Sequence, residues 1–337
     1  MEFLAYLYHL ITDLRNRLYD KKILKSKHVD GVEIFCVGNI TVGGTGKTPT
    51  VQYLVQRFLN EGRKVAIVSR GYRGKRKNDP LIVSDGKNIF ATSKESGDEP
   101  LLHAINTKVP IVVGRDRYSA CIMAKENFDI DTIVLDDGYQ HRKLKRDYNI
   151  VLIDATNPFG GGRLLPLGTL REDLKQLKRA HEFIITKADL VDDREIKKIK
   201  KYLSRYKKNI SVAKYGVVSL KNLKGDMKPL FWINKKKVLL FSGLANPLNF
   251  EKTVISLMPS ATDRIDFLDH HDFKERDFKK IMKRADEMGA DFIITTEKDI
   301  VKLPPNLKMP RTYVLKVELT MLEDNLFKER ENSNVSN

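Results

Sequence analysis

The sequence is poor in cysteine: Cys36 and Cys121 are its only two. That excludes a disulfide framework, and both read as reduced core thiols of a cytosolic setting. No apolar run is long enough to cross a bilayer. The basic start and small-residue cleavage site of a signal peptide are missing. So are internal repeats and low-complexity tracts. There are no clustered aromatics for base stacking and no nucleic-acid recognition motif, so a net charge of +17 does not make nucleic acid the expected partner. The excess charge points instead to anionic partners such as nucleotides or acidic lipid headgroups. Part of it is the block KKIKKYLSRYKK at 197–208, which reads as a solvated helix face.

What is present is a glycine-rich stretch leaving an apolar run: Thr41, Val42, Gly43, Gly44, Thr45, Gly46, Lys47 and Thr48 follow Val37-Gly38-Asn39-Ile40. Residues 32–37 read as a buried strand. From Pro49 to Leu59 the apolar spacing is helical, and Pro49 suits a first helical turn. Strand, loop and helix start make a phosphate site, because backbone N–H groups converge there and the helix dipole favours negative charge. Lys47 would reach the β- and γ-phosphates of a nucleotide, and the Thr48 hydroxyl would ligate Mg²⁺. The loop departs from G-x-x-x-x-G-K-[ST] at its first position, where Thr41 replaces glycine and Gly43 and Gly44 could supply the flexibility.

With 337 residues, 41% of them hydrophobic, the chain suggests two domains. Apolar runs at 32–37, 65–69, 109–113, 131–135, 150–153 and 183–185 alternate with helical segments, which predicts an α/β fold with a mostly parallel sheet. A second set at 238–241, 261–267, 291–295 and 312–316 reads as a smaller α/β domain. The expected boundaries are 1–215 and 216–337, with 210–220 and 230–233 pairing as connecting strands and a frayed polar tail beyond 329. At the N-terminus, Phe3, Leu4, Tyr6, Leu7, Tyr8, Leu10 and Ile11 form an apolar patch with basic residues behind it. It suits an interfacial helix or a helix packed on its own domain.

Carboxylates gather near the predicted phosphate loop. Asp136 and Asp137 end an apolar strand where a Mg²⁺-holding acid belongs. Asp98 and Glu99 stand in a turn before a helix, where capping accounts for them and where one of them could also take a proton from an alcohol. Ser69–Gly74 and Gly114–Arg117 are basic loops at the ends of strands, suited to phosphate. Asp269-His270-His271-Asp272 is dense in titratable groups, and Thr295–Asp299 could contact a nucleotide or cap a helix. Thr186-Lys187-Ala188-Asp189 is similar to the base-reading motif of GTPases, with Thr in place of Asn, which leaves a P-loop GTPase or nucleotide-dependent maturation factor as the alternative.

Taken in order, VGNITVGGTGKTP, SRGYRG, SGDEP, VGRDR, LDDGYQH, GRLLPLGTLRE, FSGLANP, FLDHHDF and TTEKD resemble the tetraacyldisaccharide 4′-kinases of lipid A biosynthesis, over residues 37 to 299. The resemblance implies a P-loop kinase domain joined by a two-stranded linker to a smaller α/β domain, with the active site between them. It implies transfer of the γ-phosphate of ATP, with Mg²⁺, to the 4′-hydroxyl of a tetraacylated disaccharide 1-phosphate, giving lipid IVA. It also implies a peripheral enzyme at the cytoplasmic face of the bacterial inner membrane, with no obligate protein partner. Carried over by motif, Thr41 to Thr48 hold the nucleotide and Asp98 is the base, working with His270. Thr48, Glu99, Asp136 and Asp137 belong to the Mg²⁺ site. Arg117, Gln140, His141 and Arg171 contact substrate or phosphate.

Overall fold

The computed structural model describes residues 2–223, 225–244, 247–268, 271–303, 307 and 309–328. The chain separates into two compact units: residues up to Tyr215 together with those from Leu319 on, and Gly216–Glu318.

In chain order the larger unit runs α1 (Glu2–Asp20), β1 (Glu33–Asn39), α2 (Lys47–Asn60), β2 (Val65–Ser69), β3 (Leu81–Asp85), α3 (Ser93–Ser96), α4 (Asp98–Thr107), β4 (Pro110–Val113), α5 (Arg117–Asn127), β5 (Thr132–Asp136), β6 (Tyr148–Asp154), β7 (Glu182–Thr186), α6 (Asp193–Leu203) and the long β8 (Asn209–Asn222), which carries the chain into the second unit. Its strand order is β3-β4-β2-β5-β1-β6-β7-β8. Neighbours are parallel except β3, which runs antiparallel to β4. This edge strand had not been expected from the sequence. The central strands are apolar throughout because helices cover both faces. Phe35 and Val37 of β1 pack with Val51 and Leu54 of α2 and Ala104 of α4 on one face. Ile34 and Cys36 pack with Ala120 and Cys121 of α5 on the other. β1 lies between β5 and β6, so the chain reverses direction across the sheet there, and ligands of such sheets bind at the C-terminal ends of those strands.

The smaller unit adds β9 (Met227–Lys228), β10 (Lys237–Ser242), α7 (Pro247–Ile255), β11 (Ala261–Asp266), α8 (Glu275–Glu287), β12 (Phe292–Thr296), α9 (Glu297–Ile300) and β13 (Thr312–Glu323), which returns the chain to the larger unit. Its sheet is parallel in the order β11-β10-β12-β13. Phe241, Phe278 and Ile281 fill one side, and Leu240, Phe250 and Val254 the other.

Two expectations need correction. Leu230–Ile233 is a 3₁₀ turn rather than a connecting strand; Pro229 sets the preceding backbone and offers no N–H to a ladder. The strands that cross the boundary are β8 and β13. The stretch from Leu319 groups with the larger unit, whereas the sequence had suggested the second domain. Phe327 explains this: its ring lies 5.7 Å from Phe35, 5.7 Å from Phe58 and 5.2 Å from Tyr148, and Asn325 donates to the Ile210 carbonyl at 2.8 Å. The expected frayed tail beyond 329 lies outside the described residues.

Candidate active site

The loop between β1 and α2 is shaped by two left-handed glycines, Gly43 at φ 125° and Gly46 at φ 83°. Gly46 is required twice over, since a Cβ there would stand 1.9 Å from the Tyr215 hydroxyl. That hydroxyl lies 3.0 Å from the Gly46 carbonyl and 3.2 Å from the Thr45 carbonyl, and the Thr186 hydroxyl donates to Thr45 O at 3.2 Å. With these carbonyls turned toward the strand side, the amides that follow them face the opposite way, as an anion nest needs. Thr41 is not among the residues at positive φ, so its Cβ is tolerated where other phosphate loops use glycine. The first half of the loop is braced by the GTLRE segment: Val42 N donates to Thr169 O and Arg171 N to Ile40 O, both at 2.7 Å. Lys47 Nζ stands 3.4 Å from Asn39 Oδ1 and 3.8 Å from Asp137 Oδ1, across the mouth of the loop.

The two acids at the end of β5 go different ways: Asp136 is the last strand residue, and the chain turns at Asp137. Asp137 takes φ 53° and is engaged by cations: Arg171 Nη1 donates to both its oxygens at 3.0 Å. Burial works to raise its carboxyl, but the charges of Lys47 and then Arg171 outweigh burial and hold it below the usual carboxylate range. Asp136 turns to the α2–α4 side, where His103 Nε2 meets its Oδ2 at 3.1 Å; both residues are buried. Asp136 Oδ1 is buried and has no partner among the described residues. A bare carboxylate oxygen beside the start of α2 fits a magnesium ion better than it fits an apolar core. Thr48, buried in the first turn of α2, supplies the hydroxyl that such an ion would share with phosphate oxygens. No group of three Asp, Glu, His or Cys side chains placed to hold a metal ion occurs among the described residues, and magnesium bound through nucleotide phosphates needs none.

Of the four expected substrate contacts, Arg171 is tied to Asp137 as above. Gln140 donates to Asn39 O at 2.8 Å and so steadies the strand end that carries the loop. Arg117 is 6% exposed, and no carboxylate among the described residues lies within ion-pair distance of it. Its Nη1 donates to Arg115 O at 2.9 Å and its Nε has no partner among the described residues. Burial, and then the charge of Arg70, push its guanidinium pKa down. Two arginines so placed call for an anion. His141 is half-buried, 3.7 Å from Asp116 Oδ1, and burial followed by the Arg117 charge lowers its pKa to about 4. It is therefore neutral at pH 7.

Asp98 and Glu99 open α4 immediately after Gly97, whose φ is 89°. A Cβ on Gly97 would meet Tyr72 O at 2.5 Å, and one on Gly74 would meet Glu95 O at 2.3 Å. The SRGYRG loop thus lies directly against the SGDEP turn and sets where the two acids begin. Arg76 locks that loop by donating to the Arg70 carbonyl at 2.9 Å and to the Gly71 carbonyl at 3.3 Å.

α1 docks on the larger unit through its polar side. Tyr8 Oη donates to Arg171 O at 2.8 Å, Asn16 Nδ2 to Glu172 Oε2 at 2.9 Å, and Arg142 pairs with Asp20 at 2.7 Å. Glu172 is fully buried and also takes Arg179 at 2.7 Å. The apolar side of the helix faces outward: Leu4, Leu7, Ile11 and Leu14 are 52, 43, 59 and 59% exposed. No described helix is long and apolar enough to cross a membrane.

In the smaller unit Thr296 caps α9, and Asp299 accepts from Thr296 Oγ1 at 2.6 Å and from Gly243 N at 3.1 Å. The TTEKD motif is thus a helix cap that also holds the turn after β10. His271 meets Asp277 at 2.9 Å. His270, expected to partner the base, lies outside the described residues. Lys187 pairs with Asp154. His103, Glu172, Asn39 and Tyr215 were not anticipated. His103 and Tyr215 are single polar residues inside a helix and a strand, Asn39 and Glu172 stand within motifs without a role of their own there, and only the fold shows what each touches.

A family model described as tetraacyldisaccharide-1-P 4′-kinase, LpxK, matches residues 1–334. The chain belongs to this family. Among its relatives is the tetraacyldisaccharide 4′-kinase of Halothermothrix orenii, 38% identical over 316 residues, covering 90% of this chain and 82% of the relative. That of Geobacter sulfurreducens is 37% identical over 322 residues, covering 95% and 87%. The solved structure of LpxK from Aquifex aeolicus in complex with ATP superposes with a TM-score of 0.78 at 31% identity, covering 99% of this chain and 96% of that one. The sites described above therefore lie on an LpxK fold.

Proposed function

We propose that this chain transfers the γ-phosphoryl group of ATP to the 4′-hydroxyl of a tetraacyldisaccharide 1-phosphate. The observation that carries the reading is the glycine loop with Lys47 and Thr48 at the end of the central strand, beside a strand ending in a buried carboxylate oxygen without a partner among the described residues, in a chain that matches the LpxK family over nearly its whole length. The GTPase alternative is not favoured, since the family match places the entire chain among kinases of a lipid A precursor.

Phosphoryl transfer is mostly positioning and charge neutralisation. The loop amides and Lys47 hold the β- and γ-phosphates. Asp136 and Thr48, with Glu99 in the first turn of α4, are the residues that would hold magnesium, which neutralises the oxygens of the transferring group when bound. The engagement of Asp137 by Arg171 and Lys47 supports a different role for it, as the counter-charge that keeps both cations at the phosphate. Asp98 accepts the proton of the 4′-hydroxyl as the new O–P bond forms and the bond to the ADP oxygen breaks. Arg117, buried and without an ion-pair partner among the described residues, meets an anionic group of the disaccharide, and Gln140 and His141 line the same strand end. The outward apolar face of α1 supports attachment to the cytoplasmic face of the inner membrane, where the acyl chains of the substrate remain while its headgroup is reached.

Incubating the full chain with ATP, Mg²⁺ and disaccharide 1-phosphate should yield lipid with one added phosphoryl group. ATP consumption with the lipid unchanged overturns the proposal. Asp98→Asn should lower kcat by about 10²–10⁴-fold while ATP affinity stays native; native kcat removes Asp98 as the base.

A further inference from the structure

His103 and Asp136 form a buried pair inside the larger unit. His103 lies in the middle of α4, 0% exposed, and its partner is 2% exposed. A helix packed on a sheet normally places an aliphatic residue at such a position, and burying an imidazole and a carboxylate together carries a desolvation cost. The contact is also lopsided. Nε2 meets Oδ2 at 3.1 Å, whereas His103 Nδ1 and Asp136 Oδ1 both lack a partner among the described residues. The neutral tautomer with its proton on Nε2 fits this arrangement: it donates to the carboxylate and leaves only a bare lone pair on Nδ1, where the other tautomer would leave an unpaired N–H.

Two features of the fold give the contact a direction. Asp136 shares its face of β5 with Val134, because strand side chains alternate, and Val134 packs in the cluster that contains Val51 of α2 and Ala104 of α4. Asp136 therefore sits over the layer whose loop-side end is the start of α2, with Lys47 and Thr48. Glu99 and His103 are four residues apart on α4 and so lie on one side of that helix.

We propose that His103 is a positioning residue of the magnesium site. Its Nε2–H occupies Asp136 Oδ2, fixes the rotation of the carboxylate and leaves Oδ1 as the metal-facing oxygen. The same contact fixes α4 against the end of β5, and with it the place of Glu99 relative to Asp136. This rests on the reading of Asp136 as a magnesium ligand. A donor behind a ligating carboxylate acts as the donors behind metal-bound histidines do, and losing such a partner lowers metal affinity about 10–100-fold.

The test is a Mn²⁺ titration of the full-length chain with ADP bound, read by the EPR signal of free Mn²⁺, alongside ADP binding in EDTA. His103→Leu should weaken Mn²⁺ about tenfold or more and leave metal-free ADP binding within about twofold of native. His103→Gln, whose Nε2–H can stand where the imidazole Nε2–H stood, should restore Mn²⁺ affinity, and His103→Asn, one carbon shorter, should not. Native Mn²⁺ affinity in the Leu variant overturns the proposal; so does equal rescue by Asn and Gln, and so does a parallel loss of metal-free ADP binding, which marks a merely structural role. If the Leu variant does not fold, the Gln and Asn variants carry the comparison alone. Asp136→Asn separates the two levels. If it lowers Mn²⁺ affinity while His103→Leu does not, only the role of His103 falls; if it too leaves Mn²⁺ affinity native, the magnesium reading of Asp136 falls with it.

Discussion

The outward face of α1 offers a quantitative test of membrane attachment. Leu4, Leu7, Ile11 and Leu14 form one stripe, and between 43 and 59% of each is exposed. Fully burying such a side chain contributes about 1.5–3 kcal/mol, so pressing the exposed half of each into a bilayer interface contributes about 1 kcal/mol. Replacing all four by Gln should therefore cost about 4 kcal/mol of partitioning, or nearly a thousandfold, since about 1.4 kcal/mol is tenfold. The anchors on the inner side of the helix, Tyr8 to Arg171 O, Asn16 to Glu172 and Asp20 to Arg142, are untouched by these changes. Deleting the helix is a poorer experiment, because it would strip Asn16 from the buried Glu172. Co-sedimentation with vesicles containing anionic lipid reads the partitioning, and ATP binding in solution serves as the control. Vesicle binding within about threefold of native, with ATP binding intact, would refute the reasoning.

Three other perturbations follow from the geometry. Glu172→Gln breaks a buried pair with Arg179 and should destabilise the larger unit by about 3–5 kcal/mol, seen as a lower denaturation midpoint; an unchanged midpoint contradicts the role given to Glu172. Gly46→Ala forces a side chain to φ 83°, at about 1–2 kcal/mol, and drives a methyl into Tyr215, so calorimetry should find ATP affinity reduced at least tenfold; native affinity would mean that the loop is not held as described. His141 is half-buried and neutral, with a pKa of about 4 against an ordinary value near 6.5. Between those values the unfolded chain binds the extra proton, so the contribution of His141 is intact above about pH 6.5 and is lost as pH falls toward 4. His141→Gln should flatten the pH dependence of urea stability across that window, and an unchanged slope removes the residue from that account.

Much of this molecule could be read from the chain, for reasons that differ from element to element. β1, β5, β6 and β7 are buried on both faces, so each announces itself as an unbroken apolar run, and Gly-Lys-Thr marks the loop between β1 and α2. β3 was missed because LIVSD is a short edge strand, half apolar, that follows a basic loop and runs against its neighbour. Leu230–Ile233 had the residue types of a strand, but Pro229 set it as a turn. Phe327 fills the core of the larger unit from a segment that follows the smaller one, a long-range contact that leaves no local pattern. The candidate site divides in the same way. The motifs located Lys47, Thr48, Asp98 and the acid pair at the end of β5, but what separates Asp136 from Asp137 is the left-handed turn at Asp137, which only the fold shows. Nothing in a helix reading LLHAINT reveals that His103 meets Asp136, because that contact joins residues 33 apart through the packing of α4 on the sheet.

The most direct test of the central claim is a crystal structure of the full chain with a non-hydrolysable ATP analogue and Mn²⁺ in place of Mg²⁺, with the metal located by its anomalous signal. The account predicts the β- and γ-phosphates against the amides of residues 43–48 and Lys47, and a manganese peak bound by Thr48 Oγ1 and Asp136 Oδ1. Phosphates lodged away from that loop, or a metal that touches neither residue, would contradict it.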